Sequence, residues 1–174
     1  MIRAFEGDEP EIADSAFVDP EATVIGNVIV GPEATILPGA VIRGDGGGEV
    51  ILERQANVQD NVTIHADAPG TTVRLCESAA VGHTAIVHNA TVGEHSLVGM
   101  GATVLDDAVV EPYSVVGANS FVPSGQQVET GTLVAGTPAE VLRDELDRDD
   151  PMFETAARYT ERVEGLGTED VREQ

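Results

Sequence analysis

Lysine and tryptophan are missing from the 174-residue chain, cysteine occurs once, and aromatic residues make up only 3% of it. The nine basic residues, all arginine, face 31 acidic ones, which leaves a net charge of −22. Such a surface repels nucleic acid and anionic membranes, so neither is an expected partner. An acidic surface without lysine points instead to molar salt, where counterions screen the repulsion, and implies a halophilic source. The single cysteine, Cys76, rules out an internal disulfide; it reads as a partly buried small residue in a reducing compartment. No apolar h-region opens the chain and no run is long enough to span a bilayer, so a cytoplasmic protein is expected.

What the chain has is a period of six. Aliphatic residues recur at Val18, Val24, Val30, Ile36 and Ile42, then at Leu52, Val58 and Ile64, at Leu75, Val81 and Val87, and every sixth position from Val92 to Val122. Four positions after most of these anchors stands a small residue, as at Ala22, Ala34, Ala40, Ala56, Ser96 and Ala102. A hexad suits neither a helix of period 3.6 nor a long alternating strand. It suits short strands joined by tight corners, three to a triangular coil, with the anchor inside and the small residue letting coils stack at about 4.8 Å. Seventeen anchors predict five to six coils of an all-β solenoid. Glycine and proline at the corners (Gly26, Gly31, Pro32, Gly93, Gly99, Gly117) are expected to supply the turns.

The period breaks between Ile42 and Leu52, between Ile64 and Leu75, and between Val87 and Val92, with spacings of ten, eleven and five. Loops are therefore expected at 44–50 and 66–73; the glycine run Gly44–Gly48 precedes no helix and reads as a flexible corner rather than a phosphate loop. After Val122 the hexads fade, and Pro138 to about Leu166 reads as helical through Leu142, Leu146, Phe153, Ala157 and Tyr159. The expected organisation is a β-helix over 1–137 and a C-terminal α-helix over 138–174 packed on it, with a frayed acidic tail from Gly167.

Every third hexad returns to the same face. Arg43, His65 and His88 follow anchors of one face and form an outward column on successive rungs, where two imidazoles can grip one metal ion. Asp60 and His83, with Gln59 beside Asp60, belong to the preceding face. A rigid prism does not fold one face onto another, so a three-histidine site must be shared: His65 and His88 from one subunit, His83 from the next, in a cyclic homotrimer. Asp60 is then expected near Arg43 across the interface. His95 reads as a surface residue.

Arg43-Gly44-Asp45, Asn57-Val58-Gln59-Asp60 leading to His65, Gly82-His83, Val87-His88, Val98-Gly99-Met100-Gly101 and Gly136-Thr137-Pro138 resemble the γ-class carbonic anhydrases of the hexapeptide-repeat superfamily, over roughly residues 10–165. The resemblance implies a left-handed coil, which periodicity does not reveal, and Zn²⁺, with Fe²⁺ or Co²⁺ as alternatives, at His65, His83 and His88. It associates Arg43, Asp45 and Asp60 with subunit assembly and Gln59 with the metal-bound water. It implies reversible hydration of carbon dioxide to bicarbonate, with Asp67 and Tyr159 as candidate proton relays; the long glutamate-bearing loops of the prototype are absent. Two alternatives stay open: an acyl-CoA transferase or thioesterase with one histidine as general base, and a metal-stabilised trimer without turnover.

Overall fold

The computed structural model describes residues 1–163 and 165, so the expected tail from Gly167 lies outside the described residues. The chain winds into a parallel solenoid with three faces, two of seven strands and one of eight. The first face holds Val41–Gly44, Thr63–His65 and Ile86–His88; the second Glu49–Leu52 and Thr72–Leu75; the third Thr35–Ile36, Asn57–Val58 and Ala80–Val81. The anchors from Val24 to Val122 are all buried and form one continuous aliphatic core, lined at the corners by the small residues.

The solenoid has seven coils rather than five to six. Strands Ile2–Arg3 and Glu11–Ile12 begin it, and the hexad persists past Val122 through Val128 and Val134, both buried. Polar neighbours such as Gln127 and Glu129 disguise these last anchors, because only the inward residue of each hexad has to be apolar.

Corner chemistry also differs from expectation. The left-handed conformation falls on the third residue after most anchors, and most of these are not glycine: Gln55, Asn61, Ser78, Thr84, His95, Tyr113 and Asn119 all have φ between 55° and 62°. Their N–H groups donate to the coil below, Gln55 to the Pro32 carbonyl at 2.9 Å and Asn61 to that of Pro38 at 3.0 Å, which offsets part of the strain. Of the corner glycines named above only Gly26 has positive φ. Gly99 is needed for a different reason: a Cβ there would stand 2.6 Å from the Ala118 nitrogen of the next coil.

The segment after Pro138 is not one helix. Ala139–Arg143 is a strand that folds back antiparallel on Leu133–Gly136 and ends the third face. Leu142, read as part of a helical stripe, is 67% exposed, and its neighbour Val141 is 61% exposed. Leu146 and Phe153 do turn inward, against Val115, in a small second core with Tyr113 and Met152. Asp150 caps a 3₁₀ turn, Pro151–Glu154, accepting from the Met152 N–H at 3.0 Å, and α1 follows over Thr155–Val163. This helix lies on the third face beside Thr35–Ile36 and Asn57–Val58. It covers outward residues there, so Thr35 and Asn57 are buried and must satisfy each other: the Asn57 amide donates to Thr35 Oγ1 at 2.7 Å. No described helix is long and apolar enough to cross a membrane.

Candidate functional site

The face count places the column correctly. Arg43, His65 and His88 are Cα partners on three adjacent strands of the first face, and the two imidazoles meet edge to face with centroids 5.3 Å apart. Carboxylates reach them from the expected loops by one rule: an aspartate two residues beyond a column member lies against the next member up. Asp45 Oδ1 lies 3.2 Å from His65 Nε2 while its Oδ2 accepts from Arg43 at 2.6 Å, and Asp67 Oδ2 lies 3.6 Å from His88 Nε2. Glycines permit this stacking of loops; a Cβ on Gly48 would stand 2.8 Å from that of Ala66. Burial would raise the Asp45 carboxyl, but hydrogen bonding and charge from Arg43 outweigh it and hold the group below the ordinary carboxylate range.

Two members of this cluster escaped the sequence reading. Asp106 Oδ1 lies 3.2 Å from His88 Nδ1, so His88 faces carboxylates through both ring nitrogens. Asn89 donates to Asp67 at 2.9 Å and to Asp106 at 2.6 Å. That bond, chiefly, keeps the Asp106 carboxyl below its usual range. The signal was the five-residue step from Val87 to Val92. The shortened corner puts Asn89, at φ 45°, directly after His88 and under Asp106 of the next coil.

His83 belongs to the third face, apart from the pair, after Ala80–Val81, which is in register with Asn57–Val58. Asp60 Oδ2 lies 2.8 Å from its Nδ1, so that nitrogen carries the proton and Nε2 accepts, from the Tyr159 hydroxyl at 3.3 Å. Within one chain, then, Asp60 is engaged by His83 and Arg43 by Asp45. Gln59 is 4% exposed and its amide is occupied at both ends: it donates to Asn57 at 3.0 Å and accepts from the His83 backbone N–H at 3.2 Å. Within the chain it positions the His83 turn. His83, Asp60 and Tyr159 line a cleft of about 370 Å³ with Leu37, Pro38, Arg162 and Val163, between α1 and the third face. His95 is not a bare surface residue; it stacks on Tyr113 at 4.9 Å.

The donor set fits a divalent cation in chemistry. His65 and His88 supply two imidazoles on neighbouring rungs, and ligand atoms of Asp67, His88 and Asp106 all lie within 4.8 Å of one another.

No protein-family model matches the chain. It is 42% identical over 146 residues to the carnitine operon protein CaiE of Salmonella agona, covering 84% of this chain and 73% of that protein. A hexapeptide transferase family protein from Anaplasma phagocytophilum superposes with a TM-score of 0.88 at 31% identity, covering 95% of this chain and 98% of that one. A Bacillus cereus protein assigned as an acetyltransferase gives 0.89 at 34% identity, with the same coverage. The expected coil is thus the left-handed parallel β-helix of hexapeptide-repeat proteins. The solved relatives carry transferase names and so point toward a transferase rather than a lyase, and the γ-class carbonic anhydrase resemblance draws no support from them. By its identity to CaiE over most of both chains, this protein belongs to the CaiE family of hexapeptide-repeat, left-handed β-helix proteins.

Proposed function

We propose that the protein transfers an acyl group from a coenzyme A thioester to a small acceptor, with His83 as general base. The observation that carries the reading is the Asp60–His83 pair. A carboxylate 2.8 Å from Nδ1 fixes the tautomer, and the accepting Nε2 opens onto a cleft. Nε2 takes the acceptor's proton as the acceptor attacks the thioester carbonyl. The C–S bond breaks and the proton passes to the departing thiolate. The transferase names of the relatives support the reaction class. A chain of −22 repels an anionic thioester in dilute buffer, so the reaction is expected to need salt; at 1 M the screening length is about 3 Å. The test is thiol release from acetyl-CoA in molar salt after chelation. His83→Ala and Asp60→Asn are expected to lower kcat by about 10²-fold or more. Acetyl-CoA neither bound nor consumed by the chelated protein would overturn the proposal.

The His65–His88 pair on adjacent rungs favours a second reading, the metal-dependent hydration of carbon dioxide in a homotrimer. His65 and His88 would hold the ion with His83 of a neighbouring copy, and a divalent ion there supplies Lewis acidity. His83 then serves a metal rather than a proton. Metal analysis with a hydration assay, on zinc- and iron-loaded protein, separates the readings. Bound metal with neither activity would leave a metal-stabilised assembly.

A further inference from the structure

The cleft beside His83 also bears on the acceptor. We propose that the acceptor is a small hydroxy acid, its hydroxyl replacing the Tyr159 phenol on His83 Nε2 and its carboxylate meeting Arg162. The inference rests on the acyl-transfer reading above.

Two observations carry it. With Nδ1 committed to Asp60, Nε2 seeks a donor, and the Tyr159 hydroxyl at 3.3 Å shows that a neutral O–H fits there. Arg162 lines the same cleft, with Cζ 5.9 Å from the centroid of the Tyr159 ring. In this acidic chain Arg43, Arg54, Arg74 and Arg158 are each paired with a carboxylate at 2.6 to 3.3 Å. Arg162, like Arg3, Arg143 and Arg148, forms no such pair among the described residues; of these four it is the one that lines this cleft, where Asp60, the cleft's own carboxylate, is taken by His83. A guanidinium facing a cleft recognises a planar carboxylate through paired N–H donors and disfavours an ammonium group. Leu37, Pro38 and Val163 form the apolar wall, and a volume of about 370 Å³ limits the ligand to a small molecule.

In the reaction the acceptor O–H proton passes to His83 Nε2 as the C–O bond to the thioester carbonyl forms. The C–S bond breaks and the thiolate takes the proton. The products are an O-acyl acid and free coenzyme A, with no change of oxidation state. Tyr159 is a positioning residue that holds the base until the acceptor displaces it.

The test uses the full chain in molar salt, measuring thiol release from acetyl-CoA with glycolate or lactate and, as controls, 1-propanol and ethanolamine. Glycolate or lactate should accelerate release at least about tenfold over water, and the controls should not. Arg162→Gln should raise KM for the hydroxy acid about tenfold with a smaller change in kcat, leaving acetyl-CoA binding intact. Tyr159→Phe should lower that KM. Slow release without acceleration by hydroxy acids, acceleration by ethanolamine, or an unchanged KM in Arg162→Gln overturns the acceptor assignment alone. No release and no acetyl-CoA binding overturns the acyl-transfer reading itself.

Discussion

His65 and His88 are Cα partners on adjacent strands, their rings edge to face at 5.3 Å, and the parallel ladder leaves neither free to move without its strand. If this pair shares an ion with a neighbour's His83, defects in different subunits complement. His65→Ala and His83→Ala should each lose metal, and mixing the two should restore about a quarter of the sites by random assembly into cyclic trimers. Metal content of the mixture checks this; no recovery rejects the shared site.

Cys76 faces the second surface groove beside Glu53, Glu77 and Glu94. Burial first, then the charge of Glu53, pushes its thiol above the ordinary range, and Arg74 opposes. Only the thiolate reacts, so alkylation should rise with pH at a midpoint above the unperturbed value of about 8.5. Glu53→Gln removes one negative charge and frees Arg74 from its 2.6 Å pair, so the midpoint should fall. Iodoacetamide rates against pH decide; a wild-type midpoint at or below that of a free thiol contradicts the assignment.

The anchors, the shared face of Arg43, His65 and His88, and the separate face of His83 were legible because a hexad fixes which wall each residue joins, whatever the corners do. Val128 and Val134 were hidden because outward residues of the last coil are free to be polar. The strand Ala139–Arg143 was misread because pairing with the open edge at Leu133–Gly136 outweighs a helical pattern of apolar residues. Asn89 and Asp106 needed coordinates, since their contact depends on how a shortened corner tilts one side chain under the next coil. The occupation of both ends of the Gln59 amide was invisible for a related reason: it depends on where the Asn57 side chain and the His83 backbone N–H stand around it.

Asn89 ties Asp67 to Asp106 on either side of His88, and its bond is the chief reason the Asp106 carboxyl sits low. A lowered folded value means stabilisation present above the unfolded carboxylate range, near pH 4, and lost as pH falls through the folded value. Asn89→Gly keeps the left-handed corner but removes the amide. In metal-free protein the Asp106 carboxyl should titrate higher by NMR, and the acid limb of the stability profile should become shallower. An unmoved Asp106 titration would show that the amide does not set it.

Close approach between coils makes a sharper demand than hydrophobic filling. Gly99→Ala places a methyl 2.6 Å from the Ala118 nitrogen and 2.7 Å from the Val116 oxygen, both backbone, so the coils must part. The expected cost is about 1–3 kcal/mol, against about 1 kcal/mol for Ile64→Val in the core. Thermal unfolding in molar salt should rank Gly99→Ala as the less stable; the reverse order would mean that the stack yields more easily than its interior.

Charge sets the last expectation. A trimer would carry three times −22, or −66, and the screening length grows from about 3 Å at 1 M salt to about 10 Å at 0.1 M. Dilution strengthens the exposed corner pairs, such as Arg54 with Glu33 and Glu77 at 2.9 and 3.0 Å. Exposed pairs of that kind contribute at most about 1 kcal/mol each. With 31 acids to nine bases, most carboxylates have no cation to gain, and repulsion among them grows over the same change. Net destabilisation should win, so lowering salt should dissociate the assembly and reduce Tm. Sedimentation and thermal melts across that range check it. A trimer equally intact and equally stable at 0.1 M would show that the acidic surface is not an adaptation to salt.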